Sequence, residues 1–177
     1  MKRRPSLKSS QEGQRVGAQS KVSAAPGKPE HRGDLKDDLA PGLYVVATPI
    51  GNAGDITLRA LNVLAQVDLI AAEDTRVSAK LLAIHGISKP LTAYNDHNAA
   101  RERPRLLGQI RHGGRLALIS DAGTPLVSDP GFKLVRAAIE EGLPVQALPG
   151  ASAALTGLVL SGLPSDRFLF AGFLPPK

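Results

Sequence analysis

Residues 115–131 read RLALISDAGTPLVSDPG. Arg115–Ile119 is a short, nearly continuous apolar run of strand length, and the Gly- and Pro-bearing stretch Ser120–Pro130 behind it reads as a loop. A helix is expected over Gly131–Glu141, closing at Gly142, where glycine takes the left-handed backbone that ends helices. Strand, loop and helix in that order make the repeating unit of a parallel sheet. The same unit recurs on both sides of this stretch.

Upstream, Leu43–Ala47 (LYVVA) is a buried strand, and Asp55 is placed to cap a helix in which Leu58, Leu61 and Leu64 recur. The apolar run Val67–Ala72 follows and ends in Glu73-Asp74-Thr75-Arg76. A helix over Val77–His85 stops at Gly86, Leu91–Ala93 is a short strand, and Ala99–Arg111 is a polar helix. Within it Pro104 suggests a start near Arg103, with Arg101 just before. Downstream come a strand at Val145–Leu148, a small-residue helix at Ala151–Ser161 and a last strand at Arg167–Phe170. The alternation implies an α/β fold, a mostly parallel sheet flanked by helices, and contains no internal repeat.

The chain has 177 residues, 42% apolar and 3% aromatic, enough for one domain with a core of Leu, Ile, Val and Ala. It has no cysteine, which excludes a disulfide scaffold, a zinc ribbon, an iron–sulfur cluster and a thiol nucleophile, and which fits a cytoplasmic location. The net charge of +6 is uneven: residues 1–40 hold nine Lys/Arg against five Asp/Glu, whereas 41–177 hold thirteen against eleven. Residues 1–40, rich in Lys, Ser, Gln, Gly and Pro, are expected to be a disordered basic tail, and 41–177 the folded domain. The tail lacks the apolar core of a signal peptide, and no stretch approaches a membrane span.

In parallel sheets ligands bind beyond the carboxyl ends of the strands. Three loops are therefore candidates: Thr48–Asn52 (TPIGN), Ser120–Pro125 (SDAGTP) and Pro149–Ser152 (PGAS). Glycine admits a ligand close to the backbone, and proline stiffens the turn. Each loop is equally what an α/β turn requires; the three together favour a cleft. A Walker phosphate loop, a G-x-G-x-x-G dinucleotide site and a G-x-S-x-G elbow are absent. His31, His85, His97 and His112 fall at no metal-ligand spacing, so no metal is expected.

Two polar clusters follow strands: Glu73-Asp74-Thr75-Arg76, which is also what a helix start requires, and Tyr94-Asn95-Asp96-His97-Asn98, which is also what a surface loop requires. In the functional reading, Asp74, Glu73 and His97 are the candidate proton acceptors, and Arg76 can hold an anion. Arg101, Arg103, Arg105, Arg111 and Arg115 form the densest basic stretch of the folded part. They suit phosphate contacts or a solvated helix face.

Taken together, TPIGN-x-x-DIT-x-RAL (48–61), LIAAEDTR (69–76), SDAGTPLVSDPG (120–131), PGASAALT (149–156) and GLPSDRFLFAGFLPPK (162–177) resemble one family. It is that of the bacterial small-subunit ribosomal RNA cytidine 2′-O-ribose methyltransferases, a branch of the tetrapyrrole methylases. The resemblance implies methyl transfer from S-adenosylmethionine to a cytidine 2′-hydroxyl of 16S rRNA in the small ribosomal subunit, by a homodimer of two-domain chains. It implies that Pro49, Gly51, Ser120, Asp121, Thr124, Ser152 and Ala153 meet the cofactor. Arg76, Asn52, Arg101, Arg103 and Arg105 are the RNA-contact candidates. The superfamily's first-loop Gly-Pro-Gly-Asp is here Pro49-Ile50-Gly51-Asn52, so Asn52 stands in place of the carboxylate. Relatives continue into a second domain beyond GFLPPK; without it, this chain alone is expected to be weakly active or inactive. A methylase of porphyrin-like or corrin precursors, and a non-catalytic domain binding RNA or a partner, are the alternatives.

Overall fold

The computed structural model describes residues 38–127 and 131–172. The basic tail expected over residues 1–40 lies outside the described residues up to position 37. The chain alternates β1 (Gly42–Val46), α1 (Leu58–Gln66), β2 (Leu69–Ala72), α2 (Thr75–Ile84), β3 (Leu91–Ala93), α3 (Ala99–Arg111), β4 (Arg115–Ile119), α4 (Phe132–Glu140), β5 (Val145–Leu148) and α5 (Ala153–Leu160). The five strands form one sheet in the order β3-β2-β4-β1-β5, and every pairing is parallel. The expected α/β class and parallel sheet are therefore what the chain adopts.

The connections β1 to β2 and β2 to β3 run one way along the sheet, and β3 to β4 and β4 to β5 run the other way. Crossovers of one hand must then place α1 and α2 on one face and α3 and α4 on the opposite face. The two cores agree. Tyr44, Val46, Ile70, Ala117 and Ile119 meet Ala60, Val63 and Leu64 of α1 and Leu82 of α2. Leu43, Val45, Ala71, Leu116 and Leu118 meet Leu106, Leu107 and Ile110 of α3 and Leu134 and Ala138 of α4. Alternate residues of one strand feed opposite layers, so β1 and β4 must be apolar throughout.

Several helix boundaries differ from the sequence reading for local reasons. Asp55 does not cap α1; it ends a 3-10 turn over Ala53–Asp55, with its own N–H bonded to the Asn52 carbonyl. Thr57 is the cap, its hydroxyl accepting from Ala60 N at 3.1 Å. Helix α2 starts at Thr75, because Asp74 accepts from Arg76 N at 2.8 Å. Gly86 and Gly142 close α2 and α4 as expected, at φ +66° and +69°. Arg101 lies inside α3, not before it. The turn Asn95–Asn98 starts that helix, with the Asn98 carboxamide bonded to Asn95 N and the Ala93 carbonyl. Pro104, in the second turn, then leaves the Ala100 carbonyl without its helical donor.

The strand expected at Arg167–Phe170 does not form. No ladder is extended to this segment, and Phe168, Leu169 and Phe170 are exposed. Helix α5 is apolar on all sides yet has no buried residue, with Val159 77% and Leu160 81% exposed. Among the described residues no helix is long and apolar enough to cross a membrane.

Register brings the strand ends level: Val46 pairs with Ile119 and Leu148, Ala72 with Ile119 and Ala93. All exit loops thus leave the sheet along one line. The β1 and β4 exits lead to opposite faces, and there they are stapled. Thr48 and Gly123 exchange backbone hydrogen bonds at 2.9 and 3.0 Å, and the Thr48 hydroxyl donates to the Ser120 carbonyl at 3.1 Å. Thr48 is 1% exposed, so this carbonyl has no water to turn to. Thr48→Val, equal in shape, is expected to destabilise the fold by about 1–3 kcal/mol in urea unfolding, the cost of a buried carbonyl left unpaired.

At the opposite edge Asp68 accepts from the Arg115 N–H at 2.8 Å and from its guanidinium at 2.6 and 3.1 Å. The hydrogen-bonding guanidinium holds the Asp68 carboxyl below its ordinary 3.8. The unfolded chain then takes up the proton at higher pH than the folded one. The pair's contribution is full above about pH 5 and is lost as pH falls through the lowered value. Both side chains are partly exposed, so Asp68→Asn is expected to cost under about 1 kcal/mol at neutral pH. The difference from wild type in unfolding should shrink as pH falls below about 5 and vanish once Asp68 is protonated in both the folded and unfolded states.

Candidate functional site

The carboxyl edge of the sheet collects the loops after all five strands, and the hydrogen bonds among them decide which groups can reach a ligand. Within the staple, much of the polar capacity is spent. The Ser120 hydroxyl donates to the Gly123 carbonyl at 2.9 Å and is buried, and Pro49 is buried beneath the same loop. Thr124 Oγ1 donates to the Ala151 carbonyl at 3.1 Å, joining the β4 exit to the β5 exit. A Cβ at Gly150 would lie 2.7 Å from the Ala47 Cβ, so the β5 exit crosses the β1 exit at a distance only glycine permits. Leu126 is held at φ +74°, a conformation that costs a residue other than glycine about 1–3 kcal/mol.

On the β2 side, Asp121 Oδ1 accepts from Asp74 N at 3.0 Å and ties the β4 exit to the start of α2. Asp74 is committed to Arg76, with Oδ2 2.6 Å from Nη2 and Oδ1 3.1 Å from Nε. The guanidinium hydrogen bonds hold the Asp74 carboxyl at about 2. Arg76 is in turn held protonated by Asp74, with a smaller attraction from Asp121. Glu73 is exposed on the same turn.

The sequence-derived residues thus divide. Pro49, Ser120, Asp121, Thr124, Ser152 and Asp74 lie along one row of linked loops. Gly51 and Asn52 are exposed on the outer part of the β1 loop, where the Asn52 carboxamide accepts from Gly54 N at 2.9 Å. His97 is exposed on the β3 turn, with no hydrogen bond to the row. Ser152 caps α5, and Ala153 is exposed at its first position. Arg101 and Arg105 share Glu102 at 3.1 and 3.0 Å, and Arg105 also donates to Thr92 at 3.1 Å.

Two adjoining hollows of about 310 and 450 Å³ open between the β4 and β5 exits. Thr124, Val127, Ser152, Ala154 and Phe170 border both; Ala153 borders the first, and Pro149, Gly150 and Phe168 the second. Val127, Phe168 and Phe170 were not singled out from the sequence. The two phenylalanines come from the segment read there as a strand, and their alternation was the available signal. A hollow of about 530 Å³ lies at the amino edge beside Asp68, His112 and Arg115. Its main charges neutralise each other, and it is remote from the strand ends where parallel sheets bind ligands. Among the described residues no cluster of His, Asp or Glu has the makings of a metal site.

The sequence profile described as Tetrapyrrole (Corrin/Porphyrin) Methylases matches residues 42–174. A protein of Mesorhizobium japonicum named Ribosomal RNA small subunit methyltransferase I is 60% identical over 139 residues, which are 78% of this chain and 47% of that protein. The protein of the same name from Haemophilus influenzae is 59% identical over 140 residues, 79% of this chain and 50% of that protein. This chain therefore spans about half the length of these curated relatives. Among solved structures, uroporphyrin-III-C-methyltransferase from Thermus thermophilus superposes with a TM-score of 0.54 at 26% identity, over 70% of this chain and 53% of that one. Diphthine synthase superposes with a TM-score of 0.56 at 18% identity, over 68% and 49%, a likeness of fold alone. With the profile covering the whole sheet, its flanking helices and every exit loop, the chain belongs to the tetrapyrrole (corrin/porphyrin) methylase family.

Proposed function

We propose that this chain forms one side of the active cleft of an S-adenosylmethionine-dependent methyltransferase acting on the 2′-hydroxyl of a cytidine ribose in small-subunit ribosomal RNA. The observation that carries the reading is 60% identity to a relative named for the small-subunit rRNA. The porphyrin-directed alternative draws on the family profile, which covers both substrate classes, and on a solved structure at 26% identity. A cytoplasmic location accords with a ribosomal substrate. The exposed apolar residues Val159, Leu160, Leu163 and Leu169 support a covering partner, in keeping with a homodimer.

The residues at the carboxyl edge suit an adenosyl cofactor. Val127, Phe168 and Phe170 offer apolar walls, Gly150 keeps the floor low, and the first-turn amides of Ala153 and Ala154 are donors at a helix start. Thr124 and Ser152 are the hydroxyls at the mouth, and Asp121 is the carboxylate beside them, with one oxygen held by Asp74 N. When bound, S-adenosylmethionine supplies a methyl group already activated by its sulfonium. The residues of this chain then have to align the acceptor hydroxyl and exclude water, and positioning of this kind is worth roughly 7–11 kcal/mol of barrier.

Removal of the hydroxyl proton calls for an acceptor, an effect of about 10²–10⁴-fold. Asp74, held at about 2 by Arg76, is too weak a base to keep that proton. Its role in this reading is to accept a hydrogen bond that orients the ribose, leaving Glu73 or His97 to receive the proton. Arg76, 86% exposed, faces solvent where a phosphate can approach.

Calorimetric titration of S-adenosylmethionine into this chain, beside a version extended to the relatives' length, tests the half-cleft. Binding is expected to be at least about tenfold weaker for the short chain, since pockets normally enclose 70–90% of a ligand. Micromolar affinity of the short chain overturns it. In the extended enzyme, Asp74→Ala is expected to lower methyl transfer to small ribosomal subunits by about 10–100-fold while leaving cofactor affinity unchanged. Full turnover in that variant removes Asp74 from the site.

A further inference from the structure

Helices α3 and α4 lie side by side on one face of the sheet, joined by Leu106, Leu107, Leu134 and Ala138. At their carboxyl ends the charges balance: Arg111 of α3 pairs with Glu141, just after α4, at 3.1 Å. At their amino ends, among the described residues, they do not. Arg103, Lys133 and Arg136 line a hollow of about 290 Å³ together with Glu140. Glu140 is bound to Arg136 at 2.7 Å, and neither Arg103 nor Lys133 has a carboxylate partner among the described residues. Like charges gathered at a helix contact repel, and a fold that balanced one end of the contact would balance the other if stability alone were served.

A second observation points the same way. Tyr94, at the end of β3, is 1% exposed, and its hydroxyl lies buried beside Arg103. Burial raises the phenol's pKa, and hydrogen bonding to Arg103 together with its charge opposes that rise. Set against a phenol rather than a carboxylate, Arg103 keeps its full charge at the hollow. Of the α3 arginines read as RNA contacts, Arg101 and Arg105 share the one carboxylate of Glu102, whereas Arg103 has none among the described residues.

We propose that the hollow between the amino ends of α3 and α4 is a phosphate subsite, in which Arg103 and Lys133 hold a backbone phosphate of the RNA substrate. This rests on the rRNA reading above. Both helices begin at the carboxyl edge, so a phosphate held here lies on the same side of the sheet as the exit loops. The hollow contains charge and no base-reading pattern, which suits a contact that positions RNA without selecting its sequence. Inorganic phosphate shares the chemistry but not the neighbouring cleft.

The test is filter binding of the 177-residue chain to 16S rRNA at 50–200 mM salt. Each phosphate contact removed should lower the slope of log K against log salt by about 0.7–0.9. Arg103→Gln with Lys133→Gln is therefore expected to lose about 1.5 in slope and to bind about 20-fold or more weakly at 100 mM. Lys133 is exposed, so Lys133→Gln alone keeps the fold and should lose one contact's slope. Lys80→Gln, on the opposite face, should match wild type. If wild type binds RNA and both Lys133 variants keep its slope, the subsite is overturned while the rRNA reading stands. If wild type shows no RNA binding, that reading fails and the subsite with it. Inorganic phosphate bound with the same Lys133 dependence, without any effect on RNA, overturns the RNA assignment.

Discussion

The paired backbone hydrogen bonds between Thr48 and Gly123, with the Thr48 hydroxyl on the Ser120 carbonyl, hold together the loops of the candidate site. In an open parallel sheet the exit loops of β1 and β4 depart to opposite faces and leave a crevice between them. Here the bonds close the base of that crevice. The β1 and β4 loops therefore cannot offer those amides to a ligand, and the candidate recognition surface shifts sideways. It moves to the β4 and β5 exits, where Thr124 meets Ala151, and to the β2 exit, where Asp121 meets Asp74. The hydroxyls and carboxylates most conspicuous in the sequence are in large part the fastenings of the site.

Charge follows a related division. The amino edge is neutralised by the Asp68–Arg115 pair, and Arg111–Glu141 fastens the far ends of α3 and α4. At the carboxyl edge Arg76 faces solvent from its pairing with Asp74, and Arg103 and Lys133 have no carboxylate partner among the described residues. Cations that stability does not require are thus gathered on the side where the loops open. That distribution accords with the RNA substrate proposed above.

Much of this was legible in the chain because strand burial is written twice. A strand packed on both faces must be apolar throughout, so Leu43–Ala47 and Arg115–Ile119 could be read directly, and Val145–Leu148 by its place between glycine punctuation. Helix starts were harder. Asp55 and Thr57 are both capping types, and only the backbone decides that one closes a 3-10 turn while the other opens α1. Pro104 suggested a start that the Asn95–Asn98 turn had already made. The strand read at Arg167–Phe170 failed because apolar alternation states which side chains want cover, not whether a neighbouring ladder exists. At the candidate site, residue types marked loops that the fold brings to one edge, but sequence cannot tell a free hydroxyl from one consumed by a carbonyl across the crevice. Ser120 is such a case. Lys133 and Arg136 drew no attention because α4 reads as an ordinary amphipathic helix, and their meaning depends on what α3 sets opposite them.

The order of strands has a temporal side. β1 touches neither β2 nor β3; its neighbours are β4 and β5, and the staple joins residues 72 positions apart in the chain. During synthesis, at about 5–20 residues per second, the apolar β1 must wait several seconds before its first partner emerges. For that interval β2 and β3 can pair with each other while the future centre of the sheet stays unsheltered. The strand that anchors the finished site is the one most exposed to capture by chaperones, or by another nascent chain, on the way to it.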